Sequence, residues 1–70
     1  MIIFTQHAII RMKERVISRK DVKIMIQNPD NIYRSFDDRV IFQKKIKSKT
    51  LEVIIKKDDR KTIILTCYWL

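Results

Sequence analysis

The sequence predicts an α+β domain in which two N-terminal helices pack on one face of a four-stranded antiparallel sheet. Three observations carry this expectation. Apolar residues recur at helical spacing as far as Pro29. From Asn31 onward the apolar period changes to two. The stretches between the later runs are short and polar, which forces neighbouring strands to run antiparallel. The 70 residues form a single domain, 1–70, because one domain takes about 100–200 residues.

Thr5 is the expected N-cap of the first helix, with Phe4 before it and Ile9 after it as a hydrophobic staple. Ala8, Ile9, Met12 and Val16 fall on one face of that helix. Ser18 opens the second helix, and Asp21 completes a capping-box-like pair. Val22, Met25 and Ile26 form its apolar face, and Asn28-Pro29 ends it. Residues 32–36 make a short first strand, and Asp37-Asp38 a turn. In the next strand Val40, Phe42 and Ile46 alternate with Ile41, Gln43 and Lys45. Leu51, Val53 and Ile55 share a face of the third strand. In the last, Ile63, Leu65, Cys67 and Trp69 alternate with Thr62, Ile64, Thr66 and Tyr68.

Composition narrows the function. Sixteen Lys and Arg against eight Asp and Glu give a formal charge of +8. On so small a body the fitting partner is polyphosphate. Glycine is absent, which excludes a Gly-rich phosphate loop and a dinucleotide fingerprint. A single cysteine, Cys67, excludes an internal disulfide and a multi-cysteine zinc site. A single histidine, His7, excludes a two-histidine metal site. No cofactor or metal is expected. The apolar start, Met1 to Phe4, is too short for a signal peptide, and no run is long enough to span a bilayer. The expectation is a cytoplasmic protein without a membrane partner.

Three constellations can carry chemistry. His7, Arg11 and Arg15 stand at i, i+4 and i+8, a stripe beside the apolar face of the first helix, with Glu14 alongside. The alternative is a solvated face with Glu14 paired to Arg11. Both arginines lie off the apolar face, so their truncation is expected to spare the fold. Lys44, Lys45, Lys47 and Lys49, with Arg39 upstream, suit phosphate contacts at a hairpin tip. The alternative is a lysine-guarded edge strand. Thr66 and Tyr68 share a strand face and can reach one phosphate or base, or Tyr68 packs beside Ile41 and Ile54. The doublets Asp37-Asp38 and Asp58-Asp59 read as turns rather than cation ligands.

Phe4-Thr5-Gln6-His7-Ala8, then Arg11-Met12 and Glu14-Arg15-Val16-Ile17, resembles the opening F-[ST]-x-H-A-x-x-R-M-x-E-R-x-I of a widespread uncharacterised prokaryotic domain family. Asn28-Pro29-Asp30 and the closing Ile64-Leu65-Thr66-Cys67-Tyr68-Trp69 resemble its later motifs. That family is similar to the barnase, EndoU, colicin and RelE (BECR) group of metal-independent nucleases, to which BrnT-type toxins belong. The resemblance implies a RelE-like fold and an endoribonuclease acting as the toxin of a toxin–antitoxin system. It marks His7, Arg11, Arg15, Thr66 and Tyr68 as the candidate catalytic residues. His7 is the natural proton-transfer group, since imidazole is the side chain that most readily exchanges a proton near neutral pH. The arginines would stabilise the phosphorane, and Glu14, Tyr68 or water would carry the second proton. The expected partners are RNA, an acidic or DNA-binding antitoxin, and a second copy of the chain in a homodimer. The family's hairpin glycines are missing here. The alternative functions are a non-catalytic RNA- or DNA-binding module and a protein-interaction domain with an acidic partner.

Overall fold

The computed structural model describes residues 1–70. Its elements are β1 (Ile2–Phe4), α1 (Gln6–Arg15), α2 (Arg19–Gln27), β2 (Asn31–Arg34), β3 (Arg39–Ile46), β4 (Lys49–Asp58) and β5 (Lys61–Trp69). They form one five-stranded sheet in the order β1-β5-β4-β3-β2. The expected four-stranded antiparallel sheet is therefore corrected to a five-stranded mixed one. β1 lies parallel to β5, with Ile2, Ile3 and Phe4 opposite Thr62, Ile63 and Ile64. All other neighbours are antiparallel. A three-residue strand is too short to show a period, and its partner lies at the other end of the chain.

Both helices are capped as their sequences predict. Thr5 Oγ1 accepts from the Ala8 amide at 3.0 Å, and Ser18 Oγ from the Asp21 amide at 3.0 Å. The end of α1 differs from expectation. The helix stops at Arg15, and Val16 turns left-handed at φ 54°. The Ile17 amide then donates back to the Met12 carbonyl at 2.9 Å. This is a Schellman closure with a valine where glycine is favoured. Val16 is 85% exposed, and Ile17 takes the buried place beside Met12.

Ala8 and Met12 of α1, and Val22 and Met25 of α2, join Phe42, Leu51, Val53, Ile55, Ile64 and Cys67 in one core. Ile64 and Cys67 are both fully buried although three residues apart. A regular strand cannot put such a pair on one face. The register explains it: Ile55 faces Ile64 and Ile54 faces Thr66, so Leu65 is the extra residue of a β-bulge. The bulge corrects the expected alternation of the last strand. Ile64 joins the core before it, and Cys67 and Trp69 after it.

Without glycine the hairpins use other residues at positive φ. Asp37 and Asp38 stand at 59° and 60°, as a type I′ turn requires, with the Arg39 amide donating to the Phe36 carbonyl at 3.2 Å. Lys47 and Asp59 serve the other two turns, at 59° and 58°. Aspartate tolerates this region better than most residues. No helix is long and apolar enough to cross a membrane.

Candidate functional site

Beside the bulge, Thr5 at the start of α1 meets two carbonyls of β5, and its amide donates to the Ile64 carbonyl at 3.2 Å. The Thr5 hydroxyl donates to the Ile64 carbonyl at 2.9 Å and the Leu65 carbonyl at 3.2 Å. The other end of the helix closes the rest of the strand edge. Arg15 Nη1 donates to the Cys67 carbonyl at 2.8 Å, and Trp69 Nε1 donates to the Arg15 carbonyl at 2.8 Å. β5 past Ile64 is thus an edge covered by a helix instead of a strand.

Arg15 reaches round this edge. Its guanidinium carbon lies 5.9 Å from the centroid of the Tyr68 ring, a cation–π distance. Tyr68 points to the sheet face away from the core, as does Thr66 beyond the bulge. Its hydroxyl donates to Glu52 Oε2, and Gln43 Nε2 donates to Glu52 Oε1 at 2.6 Å. Gln43, Glu52 and Tyr68 sit directly opposite one another on β3, β4 and β5. Glu52 is only 7% exposed, the one buried charged residue in the chain. A buried carboxylate holds its place only when hydrogen-bonded, and Gln43 and Tyr68 supply those bonds. The guanidinium has five donors and uses one on Cys67, so others remain for an anion. Guanidinium, phenol and carboxylate thereby form a connected polar row from the strand edge onto the open sheet face.

Glu52 and Gln43 were not among the residues expected from sequence. The available signal was an acid interrupting Leu51, Val53 and Ile55 on a strand flanked by two others. Only the register brings it opposite Tyr68.

The other candidates are distributed differently. Arg11 donates to Glu14 at 2.7 Å on the exposed side of α1. His7 is exposed and makes no side-chain hydrogen bond. It lies two turns from Arg15, about 12 Å along the axis. The stripe exists, but its members do not converge on one point. The basic cluster also divides. Lys44 Nζ donates to the Asn28 carbonyl at 2.8 Å and lies 3.7 Å from Asp30, tying the end of α2 to β3. Lys45 is exposed on the open face. Lys47 and Lys49 occupy the hairpin tip, with Lys49 Nζ 5.8 Å from the Trp69 ring centroid. Arg39 stands at the far end of β3, roughly 25 Å from that tip by strand rise. No group of three or more His, Cys, Asp and Glu side chains is placed to hold a metal ion.

Cys67 is buried, and burial pushes its thiol above the ordinary value of 9.0, while the nearby Arg15 charge pulls the other way. The thiol faces the core, away from Tyr68.

The fold and site together define a small basic α+β domain with its polar row at a helix-covered sheet edge. The chain belongs to the family described as a domain of unknown function, DUF4258, which matches residues 4–69. The matched span runs from the Phe4 that opens the N-terminal motif to the Trp69 that closes the C-terminal one. No curated protein and no solved structure matches the chain.

Proposed function

We propose that this domain is a metal-independent endoribonuclease, with Arg15, Tyr68 and Glu52 at its centre. The observation that carries the reading is the hydrogen bond from the Tyr68 phenol to the buried Glu52, with Arg15 over the same ring. The RNA 2′-hydroxyl attacks the adjacent phosphorus and the bond to the 5′-oxygen breaks, leaving a 2′,3′-cyclic phosphate. Tyr68 takes the 2′-hydroxyl proton while passing its own to Glu52, and water protonates the departing 5′-oxygen. Arg15 stabilises the charge that grows on the phosphorane, and Thr66 holds a phosphate oxygen beside it. Arg11 and His7, one and two turns before Arg15, meet the flanking phosphates. Proton transfer, expected of His7 from the sequence, belongs in this reading to the tyrosine–glutamate pair. Lys45, Lys47 and Lys49 extend the basic track along the strand. The RelE-like and BECR likeness of the motifs supports the same reading. Such an activity belongs in the cytoplasm as a toxin held silent by an acidic or DNA-binding antitoxin.

A non-catalytic nucleic-acid-binding module is the second reading. It is favoured by the formal charge of +8 together with the bond from Arg15 to the Cys67 carbonyl, which commits this arginine to the fold rather than to a reacting phosphate. Tyr68→Phe separates the two readings, because it keeps the ring under Arg15 and removes the hydroxyl. Loss of about 10²–10⁴-fold in single-turnover cleavage, the scale of one acid–base group, supports the enzyme when RNA affinity is unchanged. Binding by the wild type with no cleavage in either protein supports the module.

A further inference from the structure

We propose that the outer edge of β2, with the cleft beside it, is a docking site for an extended peptide that adds to the sheet as a sixth strand and carries both apolar and acidic side chains on its cleft-facing side. This site lies apart from the Arg15–Tyr68 centre, because β3 and β4 separate β2 from β5. Three strand spacings amount to about 14 Å.

The backbone makes the first part of the argument. β2 pairs with β3 on one side only. The Ser35 amide donates to the Arg39 carbonyl at 2.8 Å, and Tyr33 lies opposite Ile41 in the same register. By the alternation of an antiparallel ladder, the amides and carbonyls of Ile32 and Arg34 therefore face outward. The edge is short and carries Arg34, but no proline within it, register shift or covering helix blocks it. The unpaired edge at the end of β5, by contrast, is closed by Thr5 and Arg15.

Side chains make the second part. Every residue of β2 is exposed. Ile32 is 58% exposed and Phe36, just past the strand, 88%. Next to them an open cleft of about 420 Å³ is floored by Val40 and Phe42 and rimmed by Arg34, Arg39 and Lys57. Asp38 is the one carboxylate there. An added strand would pair its backbone with Ile32 and Arg34 and send alternate side chains toward this cleft. Apolar groups suit Ile32 and the cleft floor, and carboxylates suit the three cations.

Charge selects the occupant. A second copy pairing edge to edge would bring the same cations of both chains together, which opposes self-association. An RNA backbone has no amide ladder to match that of Ile32 and Arg34. An acidic, apolar peptide satisfies the backbone, the apolar floor and the charge at once.

The test uses the whole chain and two synthetic peptides of about eight residues in which isoleucine and glutamate take turns at every second position, with threonine between, so that both share the cleft-facing side. One carries free amides, and the other is N-methylated on its pairing edge. Amide hydrogen exchange is followed residue by residue. At saturation the free-amide peptide should slow exchange at Ile32 and Arg34 by about tenfold or more, as expected near ten times Kd. The N-methylated peptide should give no slowing. The double variant R34E/R39E should weaken binding of the first peptide by about tenfold or more, equivalent to ~1.4 kcal/mol. Equal binding of both peptides would overturn the proposal. So would the absence of slowing at these amides, their protection by single-stranded RNA but not by peptide, or their protection by concentration-dependent dimerisation.

Discussion

Val16 bears the clearest backbone strain in the molecule. A β-branched residue at φ 54° costs about 1–2 kcal/mol over a helical or extended conformation. Its side chain is exposed and returns little packing. Glycine at this position loses the strain but raises the entropy of the unfolded chain by about 0.5–1 kcal/mol. Val16→Gly should therefore stabilise the domain by about 0.5–1 kcal/mol, seen as a rise of several degrees in Tm. A fall in Tm would show that the valine side chain contributes packing. Cys67 supplies a second residue-level expectation. Its thiol is raised above 9.0 by burial. Well below that value both states keep the proton, and the contribution is fully present. As pH rises past it, the unfolded chain ionises while the native thiol does not, so stability falls until the native thiol also titrates. Urea midpoints at about pH 8 and about pH 10 should drop further for the wild type than for Cys67→Ala. Equal drops would mean that the thiol does not contribute.

At the scale of elements, α1 acts as a clamp along β5. Thr5 holds the bulge at one end, and Arg15 holds the Cys67 carbonyl at the other. The two arginines of the stripe should therefore separate in a denaturation series. Arg15→Ala should cost about 1–2 kcal/mol, since it leaves a part-buried carbonyl without its charged donor. Arg11→Ala should change stability by no more than ~0.5 kcal/mol, as for an exposed ion pair. Equal losses would contradict the clamp. This departs from the expectation that both truncations spare the fold, and the reason is instructive. Helical spacing shows that Arg15 lies off the apolar face. It does not show that a strand edge passes within reach. The caps, both helices and the alternation of β3 and β4 were legible because each is written in neighbouring residues. β1, the bulge at Leu65 and the row of Gln43, Glu52 and Tyr68 were not. Each of these depends on pairing between residues far apart in the chain, which a periodicity of two does not specify. Val16 misled for a local reason, since the helix ended one residue before the apolar stripe did.

For the whole molecule, the proposed binding is read from charge and its distribution. Of the basic residues expected to meet RNA, Lys44 is committed to the end of α2 and Arg39 lies with the β2 cleft. In the proposed reading the track that remains runs from His7, Arg11 and Arg15 past Trp69 to Lys45, Lys47 and Lys49. RNA affinity should fall with salt, by about 0.7 in log K per unit log salt for each phosphate neutralised on a single strand. Lys47→Ala and Lys49→Ala should each flatten that slope, and Lys44→Ala should leave it alone while loosening the fold. Affinity that does not change with salt would remove RNA as the partner of this surface.

The most direct measurement is the identity of the ends left on a short single-stranded RNA after single-turnover incubation in excess chelator. The account predicts products ending in a 2′,3′-cyclic phosphate, formed by the wild type and reduced by about 10²-fold or more in Tyr68→Phe. Intact RNA bound by a folded wild-type protein, or products ending in a free 3′-hydroxyl, would contradict it.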